Sequence, residues 1–335
     1  MEFQKWGEEL FIEHLTKQFP SKGNIMGIGD DCAVIPVENG NAWLVTTDAL
    51  VEGIHFLQDQ IPPRDLGYKT VAVNVSDIAA MGGVPKFAFL SIALPKIIDT
   101  AWTQHVIDGI KEACDKWNVL LLGGDTVGSK RDIFLNITLI GSAPQKNIKY
   151  RHTAEFGDVI CVTANLGDSG GGFKALQTQL QTTPDIQHLI QAHFRPEPSP
   201  QQGSWLAAHP EVHAMMDISD GLDCDLKRLL KKSHQGAEID LNQIPLSASL
   251  KKVSANEGWD AMQLALTGGE DYCLLLTVAA ESFDNLQQTF RDAFNTPLFP
   301  VGRITGDSNE LLYLKNKQKI PINYPNYNHF LEDTK

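Results

Sequence analysis

Aspartate recurs beside glycine, serine or threonine where the chain pattern places strand ends, turns and helix starts. Gly29-Asp30-Asp31 occupies a glycine turn, and Thr46-Thr47-Asp48 closes a strand pattern. Gly123-Gly124-Asp125-Thr126 closes another, and Asp217-Ile218-Ser219-Asp220-Gly221 leads from a strand into a helix. Asp77 lies on a helix one turn after Asn74, on a face that also carries Ile78 and Met81. Carboxylates at such positions reach one cleft above a sheet edge, where α/β folds place ligands. Several of them together repel and resist ionising. Magnesium removes that cost, because it takes oxygen ligands and keeps positions open for substrate phosphates. Singly, each has a plainer reading: a helix cap for Ser219 or Asp220, a solvated turn for Asp31. Their conjunction favours metal-assisted phosphate chemistry.

The elements that must position these residues alternate. Trp6–Phe19 has helical spacing of its apolar residues. Trp43–Thr47 predicts a strand, and Arg64–Met81 a helix ended by Gly82-Gly83 and Pro85. Lys86–Leu94 predicts a strand and Thr100–Trp117 a helix. Val119–Leu122 predicts a short buried strand stopping at Gly123-Gly124, and Ile133–Ile140 another strand. The polar stretch Gly141–Gly157 marks a boundary between a domain over residues 1–146 and a second over 147–335. Beyond it, strands are expected at Asp158–Ala164, Val212–Ile218, Ala237–Leu241, Tyr272–Val278 and Leu298–Ile304. Helices are expected from the glycine-rich turn through Leu180 and over Leu222–Ser233. Gln181–Gln202 is polar, and its Arg195-Pro196-Glu197-Pro198-Ser199-Pro200 run must be extended or turned. The fold class is α/β (or α+β), with two domains on mixed sheets.

A chain of 335 residues suits two domains with their own cores, since a domain holds roughly 100–200 residues. Hydrophobic residues at 42% and charged residues at 21% are ordinary for a soluble globular protein. The net charge of −13 argues against a nucleic-acid or anionic-membrane surface, which needs basic patches. No apolar run approaches the roughly 20 residues of a membrane span. Met1-Glu2-Phe3-Gln4-Lys5 shows no signal-peptide pattern, so a cytoplasmic location is expected. Cys32, Cys114, Cys161, Cys224 and Cys273 form no CxxC pair and read as small buried thiols.

Three motifs point elsewhere. Gly123–Lys130 looks like a P-loop but has Ser129 where the lysine belongs. Gly170-Gly171-Gly172-Phe173-Lys174-Ala175 fits the dinucleotide pattern GxGxxA, and also a close-packed helix start. Gly167-Asp168-Ser169-Gly170-Gly171 matches GxSxG, the mark of a serine hydrolase, which needs a later acid and then a histidine.

The segments around the aspartates carry a more specific signal. Gly29–Val34, Thr46–Phe56, Asn74–Gly83, Gly123–Thr126, Ser219–Leu222 and Gly268-Gly269-Glu270-Asp271-Tyr272 resemble, in order, the motifs of the thiamine-monophosphate kinases. These belong to the aminoimidazole ribonucleotide synthetase-like superfamily. The resemblance implies a two-domain fold whose N-terminal sheet closes a barrel in a homodimer. It implies ATP-dependent phosphorylation of thiamine monophosphate to thiamine diphosphate, with several magnesium ions. Asp30, Thr46, Thr47, Asp48, Asp77, Asp125, Asp217 and Asp220 are the implied metal contacts, with Asp48 and Asp220 nearest the chemistry. Gly124, Asp125, Arg151 and Ser219 are the implied ATP contacts; His55, Glu270 and Tyr327 the implied substrate contacts. Cys273, Ser199 and Asn326 depart from the family pattern, outside the implied metal ligands. A sibling phosphate-activating enzyme, a serine hydrolase and a non-catalytic nucleotide sensor are the alternatives.

Overall fold

The computed structural model describes residues 7–306, 310–322 and 324. After helix α1 (Gly7–Gln18) come strands β1 (Ala33–Pro36), β2 (Asn41–Val51), β3 (Val84–Pro95), β4 (Leu120–Ser129) and β5 (Phe134–Pro144). Along β5, Leu135, Ile137, Leu139 and Ala143 are buried and alternate with half-exposed neighbours. That period of two sets one sheet face on a core. The strand order is β1-β2-β5-β3-β4. Only the β3–β4 pair is parallel, and helix α3 (Thr100–Trp117) makes the crossover that a parallel pair requires.

Helix α2 (Pro63–Ala80) begins with proline at its first position, where the absent N–H costs nothing. Every residue from Leu66 to Ala80 except Asp77 is buried. A helix covered all round lies between layers. On one side it meets α3 through two glycines. A Cβ on Gly67 would lie 2.0 Å from the Val106 carbonyl oxygen, and one on Gly109 1.9 Å from that of Arg64.

The second sheet comprises β6 (Val159–Val162), β7 (Val212–Asp217), β8 (Gly236–Asp240), β9 (Leu274–Val278), β10 (Phe299–Thr305), β11 (Leu311–Lys315) and β12 (Gln318–Ile320). Its order is β12-β11-β8-β10-β6-β9-β7, antiparallel except for β11–β8. Helices α4 (Asp168–Gln177), α5 (Pro184–Phe194), α6 (Pro200–Ala207), α7 (Leu222–Ser233), α8 (Ala248–Glu257), α9 (Ala261–Thr267) and α10 (Phe283–Phe294) accompany it. All of β9 is buried, so both faces of the sheet are covered there. The two domains meet across α2: Gly203 of α6 lies so close to Ala79 that a Cβ would fall 2.2 Å from its carbonyl oxygen.

The α/β, two-domain reading holds, with local corrections. β4 is not a short buried strand: it continues through Gly123-Gly124 to Ser129 and forms an exposed sheet edge. Apolar residues at an edge imitate a core strand in sequence, and Leu120, Leu121, Leu122 and Val127 are all exposed. Gln181–Gln202 holds two helices behind its polar composition. Thr183 caps α5, accepting from the Ile186 N–H, and Ser199 caps α6, accepting from the Gln202 N–H; a proline follows each cap. Between them Arg195–Ser199 bends and forms neither helix nor strand, and Arg195 reaches Asp65 (2.9 Å) and Glu112 across the domain junction. Four cysteines are buried and Cys224 is half-buried; all five are free thiols.

Because α2 carries much of the site described next, its seat on α3 is a test of the architecture. Gly109→Ala forces a methyl into the Arg64 backbone, and overpacking of this kind costs roughly 1–3 kcal/mol. We expect a lower urea midpoint by circular dichroism; an unchanged midpoint contradicts the packing.

Candidate active site

In β2 the period of two sends Thr46 and Asp48 to one face and Thr47 to the other. Thr46 Oγ1 donates to Asp77 Oδ2 at 2.5 Å. The Asp48 N–H donates to Asn74 Oδ1 at 3.0 Å, and Asn74 stands one turn before Asp77 on α2. From the same helix Ser76 Oγ donates to Oδ2 of Asp217, at the end of β7, at 2.6 Å. Asp31 enters from the turn before β1. Carboxylate oxygens of Asp31, Asp77 and Asp217 lie within 4.8 Å of one another. Arg151, from the segment joining the sheets, gives its backbone N–H to Asp30 (2.9 Å) and its guanidinium to Asp31.

Burial and repulsion dominate the electrostatics. Burial, then the charges of Asp31 and Asp220, push the Asp48 carboxyl up from 3.8 to about 6. Asp77 and Asp217 are raised well above the ordinary carboxylate value, first by burial and then by neighbouring aspartates. Asp30 is raised as well, mainly by burial. Arg151 supplies one positive charge to this crowd. Hard oxygen donors, closely spaced and electrostatically frustrated, fit a divalent cation of the magnesium type.

A second group lies at the start of α7. The Asp225 carboxylate accepts the N–H groups of Ser219 (3.0 Å) and Asp220 (2.9 Å). Arg228 bridges Asp225 (2.9 Å) and Asp220 (2.5 Å), so this pair has its own counter-cation. Asp225 escapes a reading of the sequence, because an acid in the first turn of a helix looks like ordinary dipole compensation.

Glu270 follows two glycines and has a left-handed φ of 56°. Its N–H donates to the Ser219 carbonyl at 2.7 Å, which docks the turn onto the Asp217–Gly221 loop. Its carboxylate faces Lys69 Nζ (2.9 Å) and His193 Nδ1 (3.0 Å), and the Lys69 charge is the main force holding it below the usual carboxylate range against burial. The same His193 nitrogen lies 3.1 Å from Ser169 Oγ. A catalytic triad needs serine and acid on opposite ring nitrogens, and Ser169 is 2% exposed inside α4. GxSxG is therefore no nucleophile elbow. At the start of α4 the Asp271 carboxylate, pushed up to about 8 chiefly by burial, accepts the Gly167 N–H at 2.9 and 3.1 Å. A pyrophosphate would need that place. The glycines there serve packing: a Cβ on Gly172 would lie 2.1 Å from the Leu189 carbonyl oxygen. The P-loop lookalike is the extended strand β4.

The structure thus brings together Asp30, Thr46, Asp48, Asp77, Asp217, Asp220, Arg151, Ser219 and Glu270, and adds Asp31, Asp225, Lys69 and His193. Thr47 Oγ1 points across the other sheet face to Asn136 (2.9 Å) and Thr138 (3.2 Å). His55 sits in the turn after β2, its Nδ1 accepting the Val51 N–H at 3.1 Å. Gly124 shares a row with Asp48 across β3 and β5. Three strand spacings put it and Asp125 roughly 14 Å from Asp48 within one chain. Tyr327 and Asn326 lie outside the described residues.

Comparison with known proteins places the chain in a family. Residues 29–143 match the family model of the AIR synthase related protein N-terminal domain, and residues 155–315 that of its C-terminal domain. The thiamine-monophosphate kinase of Buchnera aphidicola subsp. Schizaphis graminum is 38% identical over 328 residues, 96% of this chain and 97% of that protein. The thiamine-monophosphate kinase of Escherichia coli K12 is 36% identical over 307 residues, 91% of this chain and 92% of that one. The chain belongs to the thiamine-monophosphate kinase family. Among solved structures, AaThiL complexed with AMPPCP and TMP is similar with a TM-score of 0.86 and 31% identity, covering 98% of this chain and 99% of that one. Against the family pattern, Ser199 is the cap of α6, and Cys273 is a buried strand-edge residue whose carbonyl accepts the Ile218 N–H at 2.9 Å.

The raised Asp48 pKa gives a signed expectation. Between about pH 4 and pH 6 the folded, metal-free protein holds a proton on Asp48 that the unfolded chain releases. The associated stability is present below pH 4 and is lost as pH rises through about 6. In EDTA, the melting temperature of the parent relative to Asp48→Asn should therefore fall between pH 4 and pH 6.5. A constant difference contradicts the assignment.

Proposed function

We propose that this protein transfers the γ-phosphoryl group of ATP to the phosphate of thiamine monophosphate, giving thiamine diphosphate and ADP. A carboxylate cluster built from both domains carries the reading, in a chain similar to thiamine-monophosphate kinases over almost its whole length. The printed ligands of AaThiL, AMPPCP and TMP, support ATP as donor and thiamine monophosphate as acceptor.

The step is direct and in line. An oxygen of the acceptor phosphate attacks the γ-phosphorus as the bond to the β,γ-bridging oxygen breaks, and ADP departs with that electron pair. The acceptor is already an anion, so the protein needs no strong general base; alignment and charge control supply the rate. Asp30, Thr46, Asp48, Asp77, Asp125, Asp217 and Asp220 would hold magnesium ions, which when bound neutralise the two approaching anions; the Thr47 side chain, turned to the other face of β2, is not among these ligands. Asp48 and Asp220 flank the reacting phosphates in this reading. Arg151, Ser219, Gly124 and Asp125 hold ATP, Arg151 as a fork-shaped phosphate donor. Glu270 complements the cationic thiamine portion, His55 contacts the acceptor, and Tyr327 stacks on its ring.

A homodimer belongs to this proposal. The β4 edge exposes Leu120, Leu121, Leu122 and Val127, and an open apolar edge favours pairing with another chain. Within one chain Gly124 and Asp125 stand too far from Asp48 to share its ligands, so their roles require a second copy. No described helix is long and apolar enough to cross a membrane; a cytoplasmic location is proposed.

Incubation with ATP, magnesium and thiamine monophosphate should yield thiamine diphosphate. Asp77→Asn should lower kcat on the order of a hundredfold or more, the scale of losing a charge-stabilising group, whereas Ser169→Ala should leave phosphoryl transfer near the parent level. ADP formation with another acceptor, but not with thiamine monophosphate, would instead identify a sibling enzyme.

A further inference from the structure

Lys69 is a buried lysine, 1% exposed, in the middle of α2. A buried ammonium costs several kcal/mol unless it is paired. Its Nζ has no hydrogen-bond partner among the described residues and only the 2.9 Å ion pair to Glu270 Oε1 compensates it. The second oxygen of Glu270 is held at 3.0 Å by His193 Nδ1. Burial, then the Lys69 charge, pushes the His193 pKa down against the pull of Glu270, which favours the neutral ring. A carboxylate only accepts, so the proton of the neutral ring sits on Nδ1 and points at Glu270. The Phe173 ring lies 5.4 Å from the His193 ring, centroid to centroid. Both oxygens of Glu270 are thus fixed from behind, while 26% of its side chain stays exposed.

α2 also sets the distance to the chemistry. Lys69 and Asp77 are eight residues apart on one helix, roughly 12 Å along its axis. One helix therefore sets a fixed spacing between the carboxylate cluster and the Lys69–Glu270 pair.

We infer that Lys69, with His193 behind it, is a positioning residue that keeps Glu270 ionised and aimed into the cleft and so sets the preference for a cationic acceptor. The inference rests on the reading that Glu270 faces the cationic portion of thiamine monophosphate. Lys69 and Glu270 form a dipole with its negative end toward the cleft. Without the ammonium, the buried carboxyl takes up a proton and loses its hold on a cation.

Steady-state kinetics on the full chain, varying each substrate, tests this. In Lys69→Met the KM for thiamine monophosphate should rise on the order of tenfold, matching Glu270→Gln, while the KM for ATP stays within about twofold. The double variant Lys69→Met/Glu270→Gln should be no worse than Glu270→Gln, because coupled residues are non-additive. If Glu270→Gln leaves the acceptor KM unchanged, the placement of Glu270 falls and the inference falls with it. If Glu270→Gln raises that KM but Lys69→Met does not, or if the two effects add, the positioning role alone is overturned. Should Lys69→Met not fold, the double variant, which buries no unpaired charge, is compared with Glu270→Gln. Equal acceptor KM values support the inference, and a further rise overturns it.

Discussion

Mutual repulsion among buried carboxylates is the constraint on which the rest of this structure depends. Asp31, Asp77 and Asp217 converge from a turn, a helix and a strand end until their oxygens lie within 4.8 Å, and Asp48 joins them electrostatically. No fold brings like charges this close for stability's sake, since each is driven toward its protonated form by burial and by its neighbours. The surrounding polar groups restrain the geometry: Thr46 and Ser76 donate to two of the carboxylates, and Arg151 pairs with a third. What they leave uncompensated is the negative potential a hard divalent cation seeks. The group at Asp220 and Asp225 is built differently, because Arg228 already answers its charge.

Helix α2 is the mechanical counterpart of that electrostatic centre. It is buried on all sides because the first sheet, α3 and the second domain all pack on it, through glycines that admit backbone at contact distance. Its polar residues look in several directions. Asn74 fixes the Asp48 backbone, Ser76 reaches Asp217 in the other domain, and Lys69 reaches Glu270. A single rigid element therefore sets the spacing between strands of two sheets, and phosphoryl transfer by alignment needs such fixed spacing.

Much of this was legible in the residues. The aspartates beside Gly, Ser and Thr pointed to one convergent carboxylate cluster, and the bounds expected for α3 and α7 match to the residue. What escaped was tertiary. β4 reads as a core strand because its leucines are apolar, although they form an edge. Asp31 reads as a solvated turn residue until Arg151 folds against it from 120 positions away. Asp225 and Lys69 sit in unremarkable helical settings, and only the fold supplies the Ser219 amide and the Glu270 carboxylate that give them meaning. Thr47, adjacent to two site residues, faces away because a strand alternates.

Proton release on magnesium binding is the measurement closest to the central claim. Weakly buffered, metal-free protein at pH 6 is titrated with magnesium chloride while the pH is followed. If the convergent carboxylates hold protons that the cation displaces, binding acidifies the solution, and Asp77→Asn releases fewer protons per protein. Magnesium binding without proton release, in parent and variant alike, would contradict the account.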